Sequence, residues 1–203
     1  MNMNMNMNVR HLLLHFMRLP SQGDPPIAGF MGTLAATDDD GWLSHEIFND
    51  WFRMASPRQI AEDGARSLIH LTGRTPKGAA LPPAPPTEGV VFLEFAVAEK
   101  NAAGLGDLFR AMAFARTGRH KSKVVERMSQ GAINLAINSD PDGFAHAYDI
   151  AHGRSVAAVG LWIGHASAQM DRAEALLAQS CRQKVGPGEL AIPVIRGVGG
   201  SLI

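Results

Sequence analysis

Cysteine is nearly missing from this chain. Cys181 stands alone among 203 residues, so no internal disulfide can form, which suits a reducing compartment. Aromatic residues reach only 6%, with a single tyrosine, too few for a base-stacking surface. An excess of either charge is lacking too: 19 basic and 19 acidic side chains cancel to a formal net charge of zero. Nothing therefore draws the chain electrostatically to nucleic acid or an anionic membrane. The tightest basic cluster is Arg116, Arg119, Lys121 and Lys123. No apolar run reaches the ~18 residues that a spanning helix requires. The N-terminus also lacks a basic segment leading into an apolar core and cleavage site. These absences lead to the expectation of a cytoplasmic protein with no nucleic-acid or membrane partner.

What is present is the composition of an ordinary globular protein, 46% hydrophobic and 19% charged. Residues 1–8 alternate Met and Asn, a low-complexity leader expected to be disordered. Residues 9–19 are apolar but interrupted by Arg10, His11, His15 and Arg18, which fits a strand or a helix. A loop follows by composition at 20–26. Ile27, Phe30, Met31 and Leu34 then recur at helical spacing. Residues 41–50 read as a buried strand whose far end carries a carboxylate, Glu46, into a loop. Ser56 and Pro57 form a helix-start signal ahead of Ile60, Ala61, Gly64, Ala65, Leu68 and Ile69.

Pro76, Pro82, Pro83, Pro85 and Pro86 crowd residues 73–89. That density excludes helix and ladder, and predicts a stiff linker. The organisation expected is a leader at 1–8, a first region at 9–73, a linker at 74–89 and a second domain at 90–203. In the second domain, a strand at 90–97 and a helix at 102–114 precede strands near 116–119, 124–128 and 133–138. Residues 144–152 read as a short helix or turn. The order then restarts with a strand at 156–163, a helix at 166–179 and strand-like pieces at 182–185, 191–196 and 201–203. Two βαβββ units in succession form an internal repeat. Neither buries a sheet face alone, so pairing into one curved sheet is expected.

Several side chains invite functional readings. Glu46 fits a metal ligand or a hydrated carboxylate at a strand end. His11 and His15 would share a face of a helix, though no third ligand accompanies them and chance spacing explains them better. His45 neighbours Glu46 on a strand and so points to the opposite face. His120, His146 and His152 have no nucleophile or carboxylate accompanying them in a recognisable site, and structural hydrogen bonding or sheet-edge packing is the reading preferred. Gly197, Val198, Gly199 and Gly200 fall between strands, which favours a hairpin turn over a phosphate loop.

Motifs in order along residues 9–203 carry a resemblance. Pro20-x-Gln22-Gly23-Asp24, Leu43-x-x-Glu46-Ile47-Phe48-Asn49-Asp50 and Ser56-Pro57-Arg58-Gln59, with Asp63-Gly64-x-Arg66-Ser67-Leu68, resemble the end of the barrel of bacterial two-domain 3-dehydroshikimate dehydratases. Phe92-x-Glu94-Phe95-Ala96-Val97, His120-x-Ser122-Lys123, Gln130-Gly131-x-Ile133-Asn134, His152-Gly153-x-Ser155 and the run Val185 onward resemble the 4-hydroxyphenylpyruvate dioxygenase-like region fused to it. The resemblance implies an α+β chain. Its first part would be a remnant of the last βα units of a (β/α)₈ barrel of the xylose-isomerase type. Its second would be a vicinal-oxygen-chelate domain of two βαβββ units, the second truncated.

The same resemblance implies that Glu46 is the last ligand of one divalent metal (Mg, Mn or Co), with the other three on earlier strands absent from this chain. In a complete member, that ion would stabilise the enolate formed as an acidic substrate, 3-dehydroshikimate, loses water to give protocatechuate. No bound metal is expected for the chain as it stands. Leu13 and Met17 occupy positions where the family has a substrate-binding serine and arginine, and Ser21 replaces a loop glycine. Glu94 marks a ligand position on the dioxygenase-like sheet, but its repeat counterpart falls near Gly160 and Leu161, which cannot bind iron. The leading expectation is part of a dehydratase, inactive in isolation. A non-catalytic binding or assembly module, able to form homo-oligomers, and a 4-hydroxyphenylpyruvate dioxygenase-type oxygenase are the alternatives.

Overall fold

The computed structural model describes residues 11–16, 19, 27–37, 41–73, 80–182, 185–186 and 188–203. The chain divides into two units, residues 1–82 with 175–177, and residues 83–174 with 178–203. Residues 1–8, the loop at 20–26, Met17 and Ser21 lie outside the described residues.

In the first unit, β1 (His11–Phe16) and β2 (Trp42–Ile47) form a parallel pair. Parallel neighbours need a crossover connection, and α1 (Ile27–Ala35) lies between them in the chain. Residues 9–19, compatible with either element, contain a strand. His11 and His15 therefore do not share a helix; four residues of strand separate their Cα atoms by ~13 Å. A short helix not anticipated, α2 (Asp50–Arg53), follows β2. Then comes α3 (Pro57–Thr72), with Ser56 at its cap and Pro57 in its first turn. Ser56 makes no side-chain cap bond, so the start rests on the fixed φ of Pro57. Ile27 and Met31 of α1 and Leu71 of α3 are buried together, with Leu34 and Leu43 against them.

The second unit is built on a five-stranded sheet in the order β4-β5-β6-β3-β7. Its elements are β3 (Thr87–Ala96), α4 (Glu99–Ala111), β4 (Ala115–Arg119), β5 (Val125–Gln130), β6 (Ile133–Asn138), α5 (Phe144–His152), β7 (Ser155–Ile163) and α6 (Ala166–Ala175). The central strand is β3, parallel to β6 and antiparallel to β7. It begins at Thr87, three residues earlier than the sequence indicates. Gly89, at φ 149°, sits at a register shift in the pairing with β7, a conformation glycine adopts without strain.

One face of this sheet packs on α4. Met128 is fully buried with Val97, Leu105, Phe109, Phe114, Leu135 and Ile137. The rings of Phe95 and Phe109 meet edge to face at 5.2 Å, a favourable aromatic geometry. The first βαβββ unit thus forms as its pattern indicates, and β7 and α6 open the second. Its remaining strand-like pieces appear only as isolated bridges, Ser180 to Ile195, Arg196 to Leu202 and Ala158 to Leu202. Pro193 removes a ladder donor there, and Gly197, Gly199 and Gly200 break the extended run. The glycines make a hairpin turn as expected, with Gly199 at φ 66°, Gly200 at φ 80° and the Gly197 N–H donating to the Ser201 carbonyl at 2.8 Å.

Candidate functional site

Glu46 lies one residue before the C-terminal end of β2 and is half-buried. Its Cα partner across the parallel pair is His15, while Leu13 pairs with Ser44. Among the described residues, no group of three or more His, Cys, Asp or Glu side chains could hold a metal ion. A closed divalent site needs about six oxygen ligands, some from water. Glu46 by itself does not amount to one.

In the second unit, Glu94 projects from β3 two residues before its C-terminal end. Its Cα partners are Ala136 on β6 and Ala158 on β7, and Ala136 in turn pairs with Arg127 on β5. One rung of the sheet therefore reads Arg127, Ala136, Glu94, Ala158. Ala158 offers no donor, so Glu94 has no metal-ligating partner across that pairing. Gly160 sits opposite Phe92 instead. A Cβ at Gly160 would fall 2.2 Å from the Phe92 ring, so the absent side chain is what seats that ring.

Oε1 of Glu94 accepts a bond from Asn138 Nδ2 at 2.9 Å. Nearby, Nε of Arg127 donates to Ser129 Oγ at 3.2 Å. Ser129 Oγ donates to Asn134 Oδ1 at 2.9 Å and lies 2.8 Å from the Thr117 hydroxyl. Asn134 Nδ2 donates to the Val91 carbonyl at 3.1 Å. A cavity of about 290 Å³ opens here, lined by Val91, Phe92, Glu94, Arg127, Asn134 and Leu135 over Ala136.

A third cluster joins two loops of the second unit. Glu189 accepts from Ser122 Oγ at 2.6 Å, Lys123 Nζ at 3.1 Å and the Gly186 N–H at 2.9 Å. The Ser122 hydroxyl above all, then the Gly186 N–H and Lys123, lower the carboxyl to about 2 from a usual value of 4.5. His120 Nδ1 accepts from the N–H groups of Ser122 and Lys123 at 3.3 and 3.1 Å. Its Nε2 lies 3.7 Å from Glu189. Lys121 Nζ donates to the Gly188 carbonyl at 2.6 Å. The carboxylate missing near His120 in sequence is thus supplied from 69 positions on (120 to 189). Of the four cations in this stretch, Lys121 and Lys123 serve this junction, and Arg116 pairs with Glu126 at 3.0 Å.

His152 stacks on Tyr148 with ring centroids 4.3 Å apart, and His146 is exposed. Both are structural or solvated rather than parts of a polar site.

The family model for the hydroxyphenylpyruvate dioxygenase (HPPD) N-terminal domain matches residues 83–203, more than half of the chain. The chain belongs to this family. The HPPD-type unit is preceded by a region that has its own counterpart. Across 97% of its residues the chain is 41% identical to 3-dehydroshikimate dehydratase of Pseudomonas aeruginosa and 40% identical to that of Pseudomonas putida. It covers 33% of each, so it spans about a third of the length of these relatives. To 4-hydroxyphenylpyruvate dioxygenase of P. aeruginosa it is 36% identical, over 58% of this chain and 33% of the relative. A solved structure described as a xylose isomerase-like TIM barrel/4-hydroxyphenylpyruvate dioxygenase fusion protein superposes with a TM-score of 0.80 at 41% identity. That match covers 91% of this chain and 32% of the other. The resemblance carried by the motifs, and the α+β class with a vicinal-oxygen-chelate second unit, stand on these matches.

Proposed function

We propose that this chain is the junction segment of a metal-dependent 3-dehydroshikimate dehydratase. On this reading, residues 9–73 are the closing βα units of its barrel and residues 83–203 open its dioxygenase-like region. The observation that carries the reading is the 41% identity over 97% of the chain, which takes in both units. Glu46 supports it by its place near the C-terminal end of a parallel strand, where barrel enzymes gather their chemistry. In the complete protein, Glu46 would supply one ligand to a divalent ion, Mg²⁺, Mn²⁺ or Co²⁺. Because the resemblance places only this one ligand in the 203-residue chain, the reading includes that the chain by itself has no dehydratase activity. A cytoplasmic setting is proposed from the lone Cys181. No helix among the described residues is long and apolar enough to cross a membrane.

The oxygenase alternative draws no support from the HPPD-type sheet, because Glu94 faces Ala158 rather than a second ligand. The reading is tested by incubating the 203-residue protein with 3-dehydroshikimate and added Mg²⁺, Mn²⁺ or Co²⁺. Protocatechuate formation should not exceed that of the metal alone. Robust turnover that disappears in Glu46→Ala would overturn it.

A further inference from the structure

The HPPD-type sheet carries a place for a small molecule that does not depend on the dehydratase reading. Arg127 and Glu94 stand on one rung with only Ala136 between them. Two strand spacings separate their Cα atoms by roughly 9.5 Å. The two opposite charges form no ion pair with each other, although Arg116–Glu126 on the same sheet does. Each is instead held from the side. Ser129 takes Nε of Arg127, leaving the two terminal nitrogens of the guanidinium without a hydrogen-bond partner among the described residues. Asn138 takes Oε1 of Glu94, leaving Oε2 in the same condition.

The small side chain of Ala136 forms a floor between them. Phe92, seated by Gly160, adds apolar wall. At about 290 Å³, the cavity is near the lower end of ligand pockets, ~300 Å³, enough for one ring with two substituents.

We propose that this cavity binds a small ring compound with an anionic group at one end and a hydrogen-bond donor at the other, the anion on Arg127 and the donor on Glu94. The guanidinium fork donates two parallel bonds to a planar carboxylate. An ionised carboxylate only accepts, so Glu94 selects a hydroxyl or ammonium and rejects a second anion. The ring lies against Phe92, whose face adds contact without adding charge. Arg127 is already oriented by the Thr117–Ser129–Asn134 chain of hydrogen bonds, which lowers the ordering cost of binding.

The test uses the ¹⁵N-labelled 203-residue protein titrated with 4-hydroxybenzoate, read from the amide shifts of Phe92, Glu94 and Ala136. Saturable shifts are expected at these residues. Benzoate, which lacks the donor, and phenol, which lacks the anion, should each bind about tenfold more weakly or worse, the loss of one hydrogen bond to a charged group. Arg127→Gln, at an exposed position that leaves the core untouched, should weaken 4-hydroxybenzoate at least about tenfold. Glu94→Gln should erase the preference for 4-hydroxybenzoate over benzoate. The proposal fails if no saturable shift occurs, if Arg127→Gln binds as the parent does, or if benzoate matches 4-hydroxybenzoate.

Discussion

Glu189 shows how much one side chain can tie together. It is 9% exposed and collects a hydroxyl, an ammonium and a backbone N–H, which together lower its carboxyl to about 2. The unfolded chain would take up that proton near the usual 4.5. The junction's contribution to stability is therefore complete above pH ~4.5 and drains away as the pH falls toward ~2. Glu189→Gln should lower the melting temperature at neutral pH, and the gap from the parent should narrow between about pH 5 and about pH 2. Thermal melts across that range decide it; a gap that is constant with pH would contradict the assignment. In sequence, His120-x-Ser122-Lys123 is visible as a motif, but its carboxylate is not, because 67 residues separate Ser122 from Glu189. Local patterns carry no information about which distant loop closes on them. Gly160 was legible only as a residue unable to bind metal. Its physical work, making room for the Phe92 ring, needs the antiparallel register of β3 and β7, which pairs those two positions.

Periodic elements were easier to read than irregular ones. β6 occupies the expected residues 133–138, because its alternating apolar positions put Leu135 and Ile137 into the core beside α4. α6 instead stops at Ala175, short of the expected 179, where Leu177 adopts φ 63°. Apolar periodicity through Leu176 and Leu177 reads as helix, and a left-handed leucine carries no warning in sequence. α4 ends in the same manner. Ala113 sits at φ 67°, with its N–H donating to the Arg110 carbonyl at 2.9 Å and the Phe114 N–H donating to Phe109 at 2.9 Å. The Phe109 and Phe114 rings close the motif at 6.0 Å. This is the Schellman arrangement with alanine where glycine is usual. Ala113→Gly should stabilise the protein by about 1 kcal/mol, since the left-handed conformation costs an L-residue that much. Urea denaturation would register a raised midpoint; an unchanged or lowered midpoint would show that the strain is absent. The same reasoning explains why the late pieces of the second βαβββ unit are bridges, since proline and glycine outweigh their β-branched content there.

At the scale of the whole molecule, the repeat and the motif order were both legible, and the 41% identity across two units bears out the resemblance. The site was legible only in part. Glu46 was named from its motif and lies half-buried near a strand end, yet ligand sets assemble from many strands and cannot be counted within one βα unit. A metal centre is a property of convergence: several donors must face one point, or the cost of stripping water from the ion goes unmatched. The described residues converge no such set. Isothermal titration calorimetry of the purified 203-residue chain with Mn²⁺ and Co²⁺ tests this most directly. Weak, unsaturated heats are the outcome the account predicts, unchanged in Glu46→Ala. Tight one-to-one uptake that is lost in Glu46→Ala would contradict it.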